Sequence, residues 1–117
     1  MKRIGEELEG RCLKFASEAH AFIKGVPRTT ASIEVSKQLA RSAASIGANY
    51  IEANESFSKK DFILRVRIAK KEARETCYWL RLLEVTGGHD IERNRLLGEC
   101  IELANILGAI LRNTLKA

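Results

Sequence analysis

Apolar residues recur at alternating spacings of four and three along most of this chain, which is the pattern of amphipathic helices packed in a bundle. The pattern is clearest in Asp61–Glu84, a stretch that contains neither Gly nor Pro and consists mainly of helix-forming residues. The core-facing positions of this predicted third helix are Phe62, Val66, Ala69, Ala73, Thr76, Leu80 and Leu83. With the segment before it, Gln38–Leu83 predicts two long helices joined by a short polar turn.

The first predicted helix covers Arg3–Lys24. Its core-facing positions are Ile4, Leu8, Cys12, Phe15, Ala19 and Phe22. Gly25 can end this helix, and Pro27 cannot be accommodated in a helix interior, so the clearest break in the chain follows.

The second predicted helix begins near Thr30 or Ser32, either of which can cap it, and extends to Asn54. Ser32 is followed three residues later by Val35 instead of Glu, so no capping box is expected. The core-facing positions are Val35, Leu39, Ser42, Ile46, Asn49 and Ala53. Small residues around Gly47 predict close approach of a neighbouring helix.

Ser58 is predicted to cap the third helix, which should end at Gly87–Gly88, and His89 or Asp90 should open a fourth helix that reaches Thr114. The predicted core-facing positions of the fourth helix are Leu97, Cys100, Ala104, Leu107 and Leu111. A second apolar set on it comprises Leu96, Leu103, Ile106 and Ile110. Because the connections are short, we expect an all-α, antiparallel, up-down-up-down four-helix bundle that forms a single domain over residues 1–117.

The third helix carries apolar residues on a second side, with Glu75 among them. We call these residues the outer apolar strip: Leu64, Ile68, Trp79 and Leu82. One apolar face needs one packing partner, so two faces predict burial on two sides. We therefore interpret the outer apolar strip as an oligomer interface.

Positive charge is concentrated on the same helix. Residues 59–81 contain eight Lys or Arg and three Asp or Glu, and the difference, 8 − 3 = +5, equals the formal net charge of the whole chain. We define the basic face of the third helix as Lys60, Arg67, Lys70, Lys71, Arg74 and Arg81. It has two interpretations: a solvated face with intrahelical pairs such as Lys71 with Glu75, or a binding surface for nucleic acid.

Asn49 occupies a core-facing position, and Glu52 lies about one turn later. A buried amide must be hydrogen-bonded, since leaving it unpaired costs about 1–3 kcal/mol. We expect Asn49 and Glu52 to be structural, with bonds to the third helix or a neighbouring helix that determine the register. One amide and one carboxylate do not form a reaction centre.

Catalytic and metal-binding patterns are not found in the sequence. His20 and His89 have no Cys, Asp or Glu partner at metal-ligand spacing, and no phosphate-binding loop or catalytic triad occurs. Three cysteines, one each on the first, third and fourth helices, suggest buried structural thiols in a reducing compartment. We therefore expect a cytoplasmic, non-enzymatic protein without metal or other cofactor, and no membrane span, since no apolar run is long enough.

The segments SIGANYIEA, SKKDFI and IAKKEARETCYWLRLL, within Ser45–Leu83, closely resemble the family of four-helix-bundle proteins encoded by intervening sequences in bacterial 23S ribosomal RNA genes. The first and fourth helices agree with the family in length and pattern only. Related members act as accessory proteins of diversity-generating retroelements. The resemblance implies a ring-like homopentamer whose basic surfaces contact RNA or DNA and a reverse transcriptase.

Overall fold

Four helices make up the fold of this computed structural model, which describes residues 4–85 and 87–117. They are α1 (Ile4–Gly25), α2 (Thr30–Asn54), α3 (Lys59–Leu82) and α4 (His89–Lys116). Helix α1 packs against α2 and α4, and α3 packs against the same two helices from the opposite corner. With short connections, this gives the predicted all-α four-helix bundle, about 47 × 28 × 19 Å in size. Within the described ranges, no helix is both long and apolar enough to cross a bilayer.

The predicted core-facing positions of the first three helices are largely confirmed. Those buried in α1, α2 and α3, together with Leu83 at the C-cap of α3, are Cys12, Phe15, Ala19, Phe22, Leu39, Ser42, Ile46, Ala53, Val66, Ala69, Ala73, Thr76, Leu80 and Leu83. Leu8, Val35 and Phe62, nearer the helix ends, are partly buried and pack against this core. Arg3 and the side chain of Ile4 lie outside the described residues. The helical period of the sequence is therefore sufficient to orient these three helices.

The predicted orientation of α4 was wrong by part of a turn. Its fully buried apolar side chains are Leu96, Cys100, Leu103 and Leu107, whereas Leu97, Ala104 and Leu111 are only partly buried at the edge of the core. Two overlapping apolar sets compete on this helix, and polar contacts on both flanks select between them. Glu99 bonds to Arg11 on the α1 side, and Arg93 donates to the carbonyl oxygens of Leu80 and Leu83 at the end of α3.

The N-terminus of α2 also differs from the prediction. Thr29, not Thr30 or Ser32, is the N-cap, and its hydroxyl accepts a hydrogen bond from the Ser32 amide at 3.1 Å. The Ser32 hydroxyl in return accepts from the Thr29 amide at 2.8 Å. A capping box is therefore present, because serine performs the role that the sequence rule assigns to glutamate.

The boundaries of α3 are shifted relative to the prediction, while its cap is confirmed. Ser58 accepts a hydrogen bond from the Asp61 amide at 3.1 Å, and the helix starts at Lys59. It ends at Leu82, well before Gly87 and Gly88, both of which have positive φ. Glycine adopts this backbone region without steric cost, so the pair serves the turn into α4 instead of terminating α3.

The close approach predicted at Gly47 is observed between α1 and α2. A Cβ added to Gly47 would lie 3.0 Å from the Cβ of Cys12. Because both atoms are fixed to helix backbones, any side chain at Gly47 would push the two helices apart.

Candidate nucleic-acid interface

The basic face of α3 is solvent-accessible along the length of the helix. Lys60, Arg67, Lys71, Arg74 and Arg81 are exposed and Lys70 is partly buried. Four of them follow one another at intervals of seven residues, which corresponds to about 10.5 Å at about 1.5 Å per residue. Within residues 4–85 and 87–117, none of the six cations has an ion pair or a side-chain hydrogen bond.

The two glutamates in the middle of α3 point away from the basic face, towards α2. Arg41 of α2 binds both: its Nη1 lies 3.4 Å from Oε2 of Glu72, and its Nη2 contacts Oε1 of Glu75. Glu75 also accepts a hydrogen bond from Nε1 of Trp79 at 3.2 Å. The i,i+4 pair suggested for Lys71 and Glu75 is not formed, so Lys71 keeps its charge uncompensated by a close carboxylate.

A second group of carboxylates, on α4, is held on the side that faces α1. Nε and Nη2 of Arg11 each donate to a carboxylate oxygen of Glu99 at 2.8 Å. Nη2 of Arg11 also lies 3.3 Å from Glu102. The hydrogen bonds from Arg11 hold the pKa of Glu99 below its usual range, and Glu99 in turn raises the pKa of Arg11.

Arg95 extends this α1–α4 network towards the start of α4. It contacts Glu92 one turn earlier and lies 3.3 Å from Glu18 of α1. The carboxylates of α3 and α4 that form ion pairs in the described part of the chain therefore lie on the α2 and α1 sides. The groove between α3 and α4 is left with the cations.

A cavity of about 220 Å³ opens in this α3–α4 groove. Its lining residues are Arg74, Cys77, Arg81, Ile101, Ala104 and Asn105. Ile101, Ala104 and Asn105 come from α4, and Arg74 and Arg81 are the two cations of the basic face in the lining. The sequence did not predict this cavity, because it depends on how α4 is rotated.

Arg112 of α4 adds a cation to the same groove. A Cβ on Gly108 would lie 3.4 Å from Nη1 of Arg112 and 3.6 Å from Cε of Lys70. Because Gly108 has no side chain, the side chains of Lys70 and Arg112 both extend into the space beside it. Arg112 was not among the residues predicted for this surface, because its only signal in the sequence is the glycine one turn earlier.

The three thiols are buried and free. The Cys100 thiol donates to the carbonyl oxygen of Ala73 at 3.1 Å. The neighbouring Cys100 thiol lowers the pKa of Cys77, and the positive charges of Arg81 and Arg74 act in the same direction. Burial raises the pKa of Cys12 to about 11.

The outer apolar strip lies on the α2 side of the basic face. Leu64 is 53% exposed and Leu82 is 48% exposed, whereas Ile68 and Trp79 are partly buried. Tyr78, next to this strip, is 58% exposed and meets Trp79 edge-on, with ring centroids 5.1 Å apart. The outer surface of α3 therefore presents a charged strip and an apolar strip side by side.

Asn49 and Glu52 occupy different environments. Asn49 is partly buried; its amide nitrogen donates to the Ser45 carbonyl oxygen at 2.9 Å, and its oxygen accepts from Arg65 of α3 at 3.4 Å. Glu52 is exposed, and no side-chain bond to it is formed within the described residues. Of these two residues, therefore, Asn49 alone bonds to α3 within the described part of the chain.

Potential metal ligands are dispersed. In the described ranges, no group of three or more His, Cys, Asp or Glu side chains is arranged to hold a metal ion. His20 approaches only the carbonyl oxygen of Ala40, with Nε2 at 3.3 Å.

Comparison with known proteins identifies what the chain is similar to. Residues 9–109 match the family model described as 23S rRNA-intervening sequence protein. A crystal structure from Bacteroides thetaiotaomicron, of a protein with unknown function from the S23 ribosomal protein family, shares 32% sequence identity, with a TM-score of 0.80. The similarity covers 92% of this chain and 97% of that one. No curated protein matches the sequence.

Proposed function

This chain belongs to the family of 23S rRNA-intervening sequence proteins, and on that premise we propose that it is a non-enzymatic, homo-oligomeric module that binds nucleic acid through the basic face of α3. One observation carries the proposal: Arg41 and Arg11 hold the nearby carboxylates on the far sides of α3 and α4. The cations of the basic face are thereby left available to an external anion.

The spacing of these cations suits a phosphate backbone. Lys60, Arg67, Arg74 and Arg81 form a row with steps of about 10.5 Å. Cations in such a row can each contact a different phosphate of one backbone. A straight row of cations on one helix reads phosphates and not base edges, so the binding should not depend on base sequence.

Oligomerisation would raise the affinity for nucleic acid, because several copies of a weakly binding surface would act together. We propose that the outer apolar strip packs against a second copy of the chain and that the assembly is a pentamer, the number that the family resemblance implies. Each subunit would repeat the basic face, so individually weak contacts would add by multivalency. By the same resemblance, the partners are RNA or DNA and a reverse transcriptase, and the free buried thiols fit a cytoplasmic location.

The decisive experiment compares two triple charge reversals by titration with structured RNA and with duplex DNA at two salt concentrations. The test variant is R67E/K71E/R74E, within the basic face. The matched control, K24E/R28E/K37E, makes the same change in net charge at exposed positions elsewhere.

We expect the test variant to lose binding with helicity and oligomer mass intact, and the control to retain it. In the parent, each phosphate contact should add about 0.9 to the log–log salt slope for duplex and about 0.7 for single strands. Binding by the test variant as tight as the parent's would refute the proposal.

A protein-interaction scaffold without nucleic-acid binding is the second candidate. The exposure of Leu64, Tyr78 and Leu82 on one helix favours it, because exposed apolar surface of this kind usually meets another protein. Under this alternative the basic face is only solvated, and neither triple variant would differ from the parent in any nucleic-acid titration.

A further inference from the structure

Tyr78 is the exposed aromatic residue that lies against the basic face. It precedes Arg81 by three residues and follows Arg74 by four, so both arginines are its surface neighbours on α3. Its side chain is 58% exposed, and within residues 4–85 and 87–117 its hydroxyl has no hydrogen-bond partner. Its ring makes one aromatic contact in the described residues, an edge-to-face contact with Trp79. Its exposed ring surface is therefore available between two cations that have no counter-ion.

This arrangement discriminates between nucleic-acid classes. Proteins that bind single strands combine a cationic track for the phosphates with aromatic rings on which bases stack. In a duplex the bases are already stacked and paired, so an aromatic ring beside the backbone has nothing to bind. A row of cations alone would serve both classes, whereas an exposed ring within the row benefits only unpaired bases.

The cavity in the α3–α4 groove offers room for a neighbouring nucleotide. Arg74 and Arg81 line it together with Ile101 of α4, which is 38% exposed. Its volume of about 220 Å³ equals that of about seven water molecules at about 30 Å³ each, which suits one base and not a base pair. A flexible single strand can place an unpaired base in this cavity, whereas the paired bases of a duplex cannot leave their stack to enter it.

We propose that Tyr78, Arg74 and Arg81 form a single-strand site in which an unpaired base stacks on Tyr78 while the adjacent phosphate lies between the two arginines. This inference rests on the proposed nucleic-acid-binding function and adds the class of strand that the site prefers. Stacking does not distinguish the four bases, because each has a π-face, so the site is selective for strand class and not for sequence.

The test measures the affinity of the full-length protein for a uridine homopolymer RNA and for a DNA duplex of the same length, at one salt concentration. Y78F keeps the ring and removes the hydroxyl, and Y78A removes the ring. F57A removes the fully exposed aromatic ring in the α2–α3 connection, beyond the end of α3 opposite to Arg74 and Arg81, and serves as the matched control.

We expect Y78A to bind the homopolymer about 5- to 150-fold more weakly, which corresponds to the loss of about 1–3 kcal/mol of base stacking. Y78F and F57A should bind the homopolymer like the parent, and all variants should bind the duplex alike.

Other results would overturn the inference in identifiable ways. Unchanged homopolymer binding by Y78A removes the stacking role and leaves the basic face intact as a phosphate surface. If Y78A weakens duplex binding as much as homopolymer binding, or changes the oligomer mass, Tyr78 acts in assembly or folding instead. Absence of binding to either nucleic acid by the parent protein refutes the proposed function together with this site.

Discussion

Ser42 and Thr76 form a hydrogen bond in the centre of the bundle, across the contact between α2 and α3. Oγ1 of Thr76 and Oγ of Ser42 lie 2.8 Å apart, and both residues are completely buried. Oγ1 of Thr76 also lies 2.7 Å from the carbonyl oxygen of Glu72, and Ser42 Oγ lies 3.4 Å from the carbonyl oxygen of Leu39. Likewise, every buried side-chain nitrogen and oxygen in the described part of the chain has a hydrogen-bond partner.

The first prediction concerns this pair. Thr76→Val keeps the shape and removes one partner, so Ser42 remains buried with only its weak contact to Leu39, and the variant should lose about 1–3 kcal/mol of stability. Adding Ser42→Ala should recover part of that loss, because no unpaired hydroxyl is then left. Urea unfolding at a fixed protein concentration measures the double-mutant cycle. Strict additivity of the two substitutions would contradict a direct interaction.

The second prediction tests the orientation of α4. Leu96 is completely buried and Leu97 is only partly buried, although they are adjacent in the chain. Leu96→Ala should therefore cost about 2–5 kcal/mol, the usual range for a core leucine, and Leu97→Ala clearly less. Both changes are chemically identical, so each controls for the other in thermal or urea unfolding. Equal losses, or a larger loss at Leu97, would restore the orientation predicted from sequence.

The third prediction concerns acid stability. Hydrogen bonds from Arg11 keep the pKa of Glu99 below its ordinary value of 4.5 in the folded protein. A carboxylate with a lowered folded pKa stabilises the fold at neutral pH, and this contribution disappears as the pH falls below about 4.5. Glu99→Gln should therefore lower the free energy of unfolding at neutral pH. The variant should also lose less of that free energy than the parent as the pH falls. The pKa of Arg11 is raised, so its guanidinium stays protonated throughout this pH range and its titration does not affect the acid stability.

Unfolding of Glu99→Gln is measured from pH 7 downwards, beside Glu52→Gln as a matched control. Glu52 is exposed and bonds to no described side chain, so its substitution should leave the pH profile of the parent unchanged. If both variants show the same acid profile, the Arg11–Glu99 pair does not contribute to stability.

The fourth prediction concerns assembly. Leu64 and Leu82 are about half exposed, so Leu64→Glu or Leu82→Glu should disrupt an interface without damaging the subunit core. Trp79 is less suitable, because it packs against the core and donates a hydrogen bond to Glu75. Leu13→Glu, on α1 at 69% exposure, is the matched control. Light scattering should show a smaller mass for the α3 variants alone, with unchanged circular dichroism; a monomeric parent would rule out the interface.

Much of the fold follows from the sequence, because helix boundaries and amphipathic period are properties of short segments. The core-facing positions of α1, α2 and α3 each form one dominant apolar stripe, and burial of that stripe determines how the helix is oriented. The cap at Ser58 and the breaks after α1 and before α4 are also local signals. Likewise, six cations on one side of α3 could be recognised from their spacing alone.

Tertiary structure decided what lies beside those cations. The orientation of α4, with its two competing stripes, depends on contacts such as Arg11 with Glu99, which are 88 residues apart in the chain. Arg41 removes Glu72 and Glu75 from the basic face by binding them from another helix, and the α3–α4 cavity exists only once α4 is rotated. Periodicity places a side chain around its own helix axis, whereas ion pairs and cavities arise from how neighbouring helices are rotated against each other, which no local pattern encodes.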